Sequence, residues 1–298
     1  METTPLSDGV HYLHGAVNCG LVETDSGLLA VDTGLDRGAA NRLVRAAEEL
    51  GRPLVAILNT HAHADHHGGN AQLVRRLGIP VYAPAVEEVV IREPRYEPVY
   101  LFGGAEPVGA LVNKFLQAEP SPVDHVVRPG ETVTIDGRKL EIVDLRGHSL
   151  AQVGVRADGV VFAADGFFGL EPLAKHGVPF LVDAGRMRES LLRLGGMKAE
   201  WFVPGHGPAL DDPEATLAAN VAALDRAFAW LEERLEQGPA GTEELLAEFG
   251  ARFGLLLSNP GSYVLNRAAL LGFLGTLERE GRAAVLLEGG RWLWARAE

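Results

Sequence analysis

Two periodicities alternate along the first two thirds of the chain. Short apolar runs at 16–23 and 28–32 flank Asp25-Ser26-Gly27 and predict two strands joined by a tight turn. Leu43, Val44, Ala47 and Leu50 then recur at helical spacing, and Gly51 followed by Pro53 ends that helix. A continuous apolar strand at 54–58 runs straight into Asn59-Thr60-His61. A short helix at 72–77 closes at Gly78, and Val81-Tyr82 opens another strand. Further strands are predicted at 132–135, 139–145, 153–156 and 160–164, the last two joined through Ala157-Asp158-Gly159. A helix at 187–194 and a strand at 201–203 follow, and the strand delivers Pro204-Gly205-His206-Gly207. This is an α/β alternation, but its hairpins predict mixed sheets and not one doubly wound parallel sheet.

Two stretches break the rhythm. Residues 93–127 carry Pro94, Pro98, Pro107, Pro120 and Pro122 together with Tyr96, Tyr100 and Phe102. So long a structureless loop is unusual in a compact domain, which predicts a partly ordered insertion. It serves either as a surface excursion or subunit contact, or as a lid or pocket wall that makes Tyr96 and Tyr100 substrate-facing. From residue 213 the pattern turns helical: a long helix at 214–235 is closed by Gly238-Pro239. Thr242 reads as the N-cap of a second helix, with Glu243 and Glu244 in its first turn, and a third helix covers 263–280. Residues 285–287, Gly289-Gly290 and 292–294 end the chain as a hairpin.

Composition narrows the function classes. The 298 residues, 47% apolar and 22% charged, support a large folded core and exclude global disorder. A formal charge of −13 disfavours a constitutive nucleic-acid or anionic-membrane binder. The segment 213–298 holds eight arginines, no lysine and twelve acids, a poor electrostatic footprint for RNA. The opening METTPLSDGV lacks a basic region followed by an apolar run. No stretch approaches the ~20 apolar residues that span a bilayer, so a soluble, cytoplasmic protein is expected. The one cysteine, Cys19, rules out an intrachain disulfide and a zinc ribbon, and reads as a small buried apolar residue.

The ten histidines change the picture. Thr60-His61-Ala62-His63-Ala64-Asp65-His66-His67-Gly68-Gly69 follows a strand and precedes a helix. Residues two apart on an extended backbone point the same way, so His61 and His63 face one point, while Asp65 and His66 continue round the turn towards a second. Gly68 and Gly69 are read as allowing a tight turn that leaves the site open. His148, Asp165 and His206 stand just beyond the predicted strands 139–145, 160–164 and 201–203. Imidazole with carboxylate and without thiolate suits zinc, iron or manganese. His67 reads as a solvent-side or outer histidine; His11, His14 and His125 read as structural. Phe167, beside Asp165-Gly166, and Lys175-His176 beyond it are the remaining candidates for substrate contact.

This set, His61-x-His63-x-Asp65-His66 followed by His148, Asp165 and His206, resembles the five-part pattern of the metallo-β-lactamase superfamily over about residues 10–210. The resemblance implies a four-layer αβ/βα sandwich with a dinuclear site at one edge. The catalytic domain would span 1–212, and a small helical, winged-helix-like domain would span 213–298. It implies that His61, His63 and His148 hold one metal, that Asp65, His66 and His206 hold a second, and that Asp165 bridges both. Asp32, in Val31-Asp32-Thr33-Gly34, matches the early aspartate that orients the metal-binding loop. Two divalent cations, zinc foremost, would share a bridging hydroxide, with Asp65 and Asp165 fixing its direction.

The expected activity is metal-dependent hydrolysis of a small ester, thioester or lactone. The second-metal set lacks the cysteine of the best-known zinc β-lactamases, and the C-terminal helices look more like the glyoxalase II-type branch of thioester hydrolases. The alternatives are a mono-iron persulfide dioxygenase and a phosphodiesterase or ribonuclease of the same superfamily; His63 argues against flavodiiron proteins. The partner expected is a small molecule, with nucleic acid and membrane disfavoured. The C-terminal helices would shape the pocket or form a homodimer contact.

Overall fold

Leu28, Leu29, Ala30 and Val31 are all buried, yet successive side chains enter different cores: Leu28 and Ala30 one, Leu29 and Val31 another. Val160 to Ala163 divide the same way, Val160 and Phe162 sharing the second core while Val161 and Ala163 enter a third. Strands apolar on both faces need cover on both faces, so the chain is obliged to build layers.

The computed structural model describes residues 3–297. One sheet holds β1 (Thr3–Ser7), β2 (Val10–Leu13), β3 (Cys19–Glu23), β4 (Leu28–Val31), β5 (Leu54–Leu58), β6 (Val81–Pro84) and β7 (His125–Val127) in that spatial order. Its first four strands are antiparallel and the last three run parallel to β4. The second sheet has the order β12-β11-β10-β9-β8, formed by β8 (Thr132–Ile135), β9 (Arg138–Asp144), β10 (Val153–Ala157), β11 (Val160–Ala164) and β12 (Trp201–Pro204), with only β11 and β12 parallel. The two sheets meet through Val10, Val22, Leu29 and Leu58 on one side and Leu140, Ile142, Val155 and Phe162 on the other.

Helices cover both outer faces. On the first sheet lies α1 (Arg37–Glu49), whose Leu43, Val44 and Ala47 are buried and whose N-terminus is capped by Asp36. It is followed by α2 (Ala64–His67), α3 (Asn70–Leu77), α4 (Glu87–Arg92) and α5 (Tyr96–Leu101). The second sheet is covered by α6 (Leu170–His176), α7 (Ala184–Gly196) and α8 (Glu214–Glu236). This is the αβ/βα sandwich expected.

The helical C-terminal region follows: β13 (Ala240–Gly241), α9 (Thr242–Phe253), α10 (Pro260–Arg279), β14 (Ala283–Glu288) and β15 (Arg291–Arg296). The three strands pair in the order β13-β15-β14. Its core is continuous with the outer helix layer, one cluster running from Leu145 and Phe167 through Leu224 to Phe273 and Trp294.

Two expectations change, and a third, the partly ordered insertion, gains its detail. Thr242 is not the N-cap of α9; Gly241 is, and the Thr242 hydroxyl accepts from the Trp294 indole at 3.0 Å, tying the hairpin to the helix. The segment 93–127 holds α5 and a 3₁₀ turn, Gly109–Leu111, and its last three residues complete the first sheet as β7. Leu101, Leu111 and Leu116 of this segment pack on Val264 of α10, so the insertion is roofed by the C-terminal region. Lys175 and His176, read from sequence in a Gly/Pro-flanked stretch, end a regular helix, α6.

Candidate metal centre

The strands end where the candidate ligands begin. β5 delivers His61 and His63, β9 leads to His148, β11 ends beside Asp165 and β12 leads to His206. Side chains from these four places converge. His61, His63 and His148 have one nitrogen each within 4.8 Å of one another. The same limit holds for the ligand atoms of His61, His66 and Asp165, and for those of Asp65, His66 and His206. Asp165 stands between the groups, with Oδ1 3.3 Å from His66 Nε2 and Oδ2 3.2 Å from His148 Nε2 and 3.5 Å from His206 Nε2.

Outer partners decide which nitrogen faces inward. His148 Nδ1 lies 2.9 Å from the Phe180 carbonyl and His206 Nδ1 2.7 Å from the Ala16 carbonyl. A carbonyl only accepts, so both Nδ1 atoms carry a proton and both Nε2 atoms are turned inward. His66 Nδ1 donates to Asp32 Oδ2 at 2.8 Å. Thr60 gives its hydroxyl proton to the same Oδ2 at 2.7 Å, which leaves its oxygen to accept from His61 Nδ1 at 3.0 Å. Thr60 N–H completes the Asp32 cluster at 2.8 Å to Oδ1. Asp32 is 2% exposed and sits at φ 59°, a left-handed conformation that few non-glycine residues adopt. Ala164, immediately before Asp165, is likewise left-handed at φ 46°. Such strain, of order 1–3 kcal/mol each, persists where the surroundings fix it and clusters at functional sites.

Three buried atoms at the centre, His61 Nε2, His66 Nε2 and Asp165 Oδ1, find no hydrogen-bond partner. Buried polar atoms are rarely left so, and these aim at one another's surroundings. Burial, together with the neighbouring imidazoles, keeps His61 and His63 well below the ordinary histidine range, and burial lowers His148 as well. These three rings are neutral, the form that binds metal. Burial opposes a charge on His66 and His206 too, but Asp165 and Asp65 outweigh it and push both up, His206 to about 9. The carboxylate field that holds protons there favours a cation. Gly205 keeps the space open, since a Cβ on it would collide with Asp165 Oδ1 and press on His66. The donor set, the orphaned atoms and this cradle fit divalent metal.

Several sequence readings are corrected. Gly68 and Gly69 have ordinary negative φ; their glycine identity answers to close packing, because a Cβ on either would strike the backbone of Leu35 or Thr33. Phe167 does not face substrate: it is fully buried in the outer core. Its neighbour Phe168 lies at the site, stacked on His206 with centroids 6.0 Å apart, and Phe180 packs edge-on to His63 and His148. Tyr96 is half exposed and lines a separate groove of about 440 Å³ with Glu93, Arg95 and Glu106. Tyr100, on the same helix, is likewise exposed, at 42%. His176 is exposed at the end of α6, whose first turn is tied to the His206 loop by Gly169 N–H donating to the His206 carbonyl at 2.9 Å, and its imidazole is pushed down by burial and Lys175. Asn18, missed in the sequence, ties the His206 loop down by donating to the carbonyls of Pro204 and Gly207 at 2.8 and 2.6 Å. His11, His14 and His125 have structural partners in Glu23, Asn18 and Tyr82. Cys19 is buried, and burial pushes its thiol far up.

His67 is not solvent-side but 1% exposed, and burial holds its imidazole down to about 4. A folded value below the unfolded 6.5 means that its contribution to stability is complete above pH 6.5 and is lost as pH falls through 4, about 3 kcal/mol at most. His67→Gln in metal-free protein is therefore expected to flatten the fall of urea midpoint between those two pH values. An unchanged slope would refute the burial account.

A two-sheet sandwich with imidazoles and carboxylates converging at its strand ends defines a metallohydrolase-type architecture. The metallo-β-lactamase superfamily model matches residues 13–206, and the chain belongs to that superfamily. Hydroxyacylglutathione hydrolase GloC of Haemophilus influenzae is 30% identical over 138 residues, 46% of this chain and 59% of that protein. The hydroxyacylglutathione hydrolase of Xanthomonas euvesicatoria is 29% identical over 210 residues, 69% of this chain and 66% of that protein. Matches to the first such relatives thus span about half of their length. Among solved structures, a β-lactamase domain protein from Burkholderia ambifaria superposes with a TM-score of 0.76 at 18% identity, covering 99% of this chain and 95% of that one. A metallo-β-lactamase family protein of Thermus thermophilus gives 0.74 at 22% identity, covering 98% and 100%. At these identities the likeness is one of fold, and it extends through the C-terminal helices.

Proposed function

We propose that the chain is a dinuclear metal-dependent hydrolase of small acyl thioesters. His61, His63 and His148 would hold one divalent cation, Asp65, His66 and His206 a second, with Asp165 between them. The observation that carries the reading is the convergence of inward-facing ligand atoms, those of His61, His66 and Asp165 unpartnered, from rings whose outer nitrogens are already committed to Asp32, Thr60, Phe180 and Ala16. Divalent cations held by these residues would supply a hydroxide nucleophile at neutral pH and polarise an acyl carbonyl. Zinc suits the donor set, which also accommodates iron or manganese.

The chain's own residues divide the remaining work. Asp32 holds the His61–His66 loop in one geometry, and Asp65 and Asp165 orient the nucleophile from two sides. Phe168 and Phe180 offer an apolar wall that keeps bulk water from the acyl group. Lys175 at the end of α6 provides positive charge for a carboxylate-bearing thiol, and His176 beside it, held neutral, offers a hydrogen-bonding group. The names of the curated relatives support a hydroxyacyl thioester of glutathione as the substrate class. The C-terminal region, read as winged-helix-like, walls the pocket through its contact with the insertion; its acidic balance argues against nucleic acid. A cytoplasmic site of action is part of the proposal, and no helix among the described residues is long and apolar enough to cross a membrane.

The test is a substrate panel on zinc-replete protein: a hydroxyacylglutathione, a simple ester, a lactone, a phosphodiester, and glutathione persulfide with oxygen uptake recorded. Thioester cleavage with the highest kcat/KM is expected. Oxygen uptake with one iron per chain would replace the proposal by a dioxygenase, and preferred phosphodiester cleavage would replace it by a nuclease.

A further inference from the structure

Glu87 is the first residue of α4 and is 4% exposed. Its Oε2 accepts the backbone N–H of Ala62 at 3.0 Å, between His61 and His63. Its Oε1 accepts the Ser149 hydroxyl and the Ala151 N–H, both at 2.7 Å, just beyond His148. One carboxylate therefore joins the two loops that bring the three-histidine group together. The other ties between them are a backbone bond from Val153 N to Thr60 O at 3.0 Å and the 2.8 Å contact of His63 Nδ1 with His148 Nε2. Burial raises the proton affinity of Glu87, and the three donors pull against it.

A second observation concerns the backbone that carries it. Val86 is left-handed at φ 78° and ψ −50°, a severe conformation for a β-branched residue. Its own side chain is 55% exposed, so it gains nothing from the strain. What the reversal after β6 achieves is to send Glu87 beneath the two loops. Observed strain of this kind points to a constraint imposed by function.

We propose that Glu87 is a positioning residue that sets the separation of His61 and His63 from His148, and with it the zinc affinity of that group. The inference rests on the metal reading proposed above. Glu87→Gln keeps the size but offers one acceptor and one donor to three donors, so at least one tie is lost. Partners behind metal ligands typically alter affinity about 10- to 100-fold when changed.

The experiment is competition for zinc against a chromophoric chelator, with the thermal midpoint of the metal-free protein measured in parallel. Wild type, Glu87→Gln, Ser149→Ala and the double variant are compared. The expected result is one zinc bound about 10- to 100-fold more weakly in Glu87→Gln with the other unchanged. Ser149→Ala should give a smaller loss, less than additive with Glu87→Gln because both act through one carboxylate. Wild-type zinc affinities in Glu87→Gln, with a lowered midpoint, would reduce Glu87 to a structural role and overturn the inference. So would an unaffected Ser149→Ala should Glu87→Gln fail to fold. A wild type that binds no zinc would remove the metal reading itself, and that outcome is visible before any variant is made.

Discussion

Asp165→Asn is expected to abolish hydrolysis while leaving the fold intact. The carboxylate is 4% exposed and faces His66, His148 and His206 within 3.5 Å. The charges of His206 and His66 hold its acid well below the usual range against the opposing effect of burial. Removing one partner from a buried charge set costs about 3–5 kcal/mol, which as lost metal affinity is about 10²- to 4 × 10³-fold at 1.4 kcal/mol per decade. Asparagine has nearly the same shape, so circular dichroism and the fold of metal-free protein should not change. A second readout comes from His206, which Asp165 holds up at about 9. In the metal-free variant its NMR titration midpoint should move down towards 6.5. A variant that keeps metal affinity and activity would show that Asp165 does not stand between the cations.

Changes at Asp32 should separate placement of the ligand loop from its chemistry. Three donors converge on this one carboxylate at 2.7–2.8 Å: Thr60 N–H, the Thr60 hydroxyl and His66 Nδ1–H. Asp32→Ala leaves all three unpaired, each at about 1–3 kcal/mol, and puts a Cβ-only side chain at a left-handed φ. The sum rivals the 5–15 kcal/mol of a typical domain, so this variant should be largely unfolded at 37 °C. Asp32→Asn tolerates the backbone conformation and keeps one acceptor, at the cost of a facing pair of donors. Its thermal midpoint should fall modestly while zinc affinity falls about 10- to 100-fold. If Asp32→Asn lost stability but bound zinc as tightly as wild type, the aspartate would serve the fold alone.

The parts of this molecule that the sequence made legible share a local cause. Residues two apart on an extended segment, as in His61-x-His63, share a face whatever lies around them. The strands before Asp165 and His206 were recognisable as continuous apolar runs, and the one before His148 by its buried Leu140 and Ile142 alternating with exposed positions. The strand 54–58 and the turn at Ala157-Asp158-Gly159 fall where the pattern put them. What escaped depends on partners distant in the chain. Glu87 and Glu88 are adjacent glutamates in one short helix, and only the approach of Ala62, Ser149 and Ala151 distinguishes the first. Phe167 and Phe168 are chemically identical neighbours after a tight turn, both buried in the outer core, and only the fold turns the second against His206. Asn18 matters because the His206 loop, nearly two hundred residues away, lies over it. Gly68 and Gly69 looked like turn glycines, yet their requirement comes from Thr33 and Leu35 on another segment.

The most direct test of the account is a zinc titration of chelator-stripped protein, with hydroxyacylglutathione cleavage followed at each equivalent. The ligand geometry predicts no cleavage at zero metal and a rise that saturates at two zinc per chain. Cleavage at full rate by stripped protein would contradict it, as would saturation of both sites with no cleavage of the thioester.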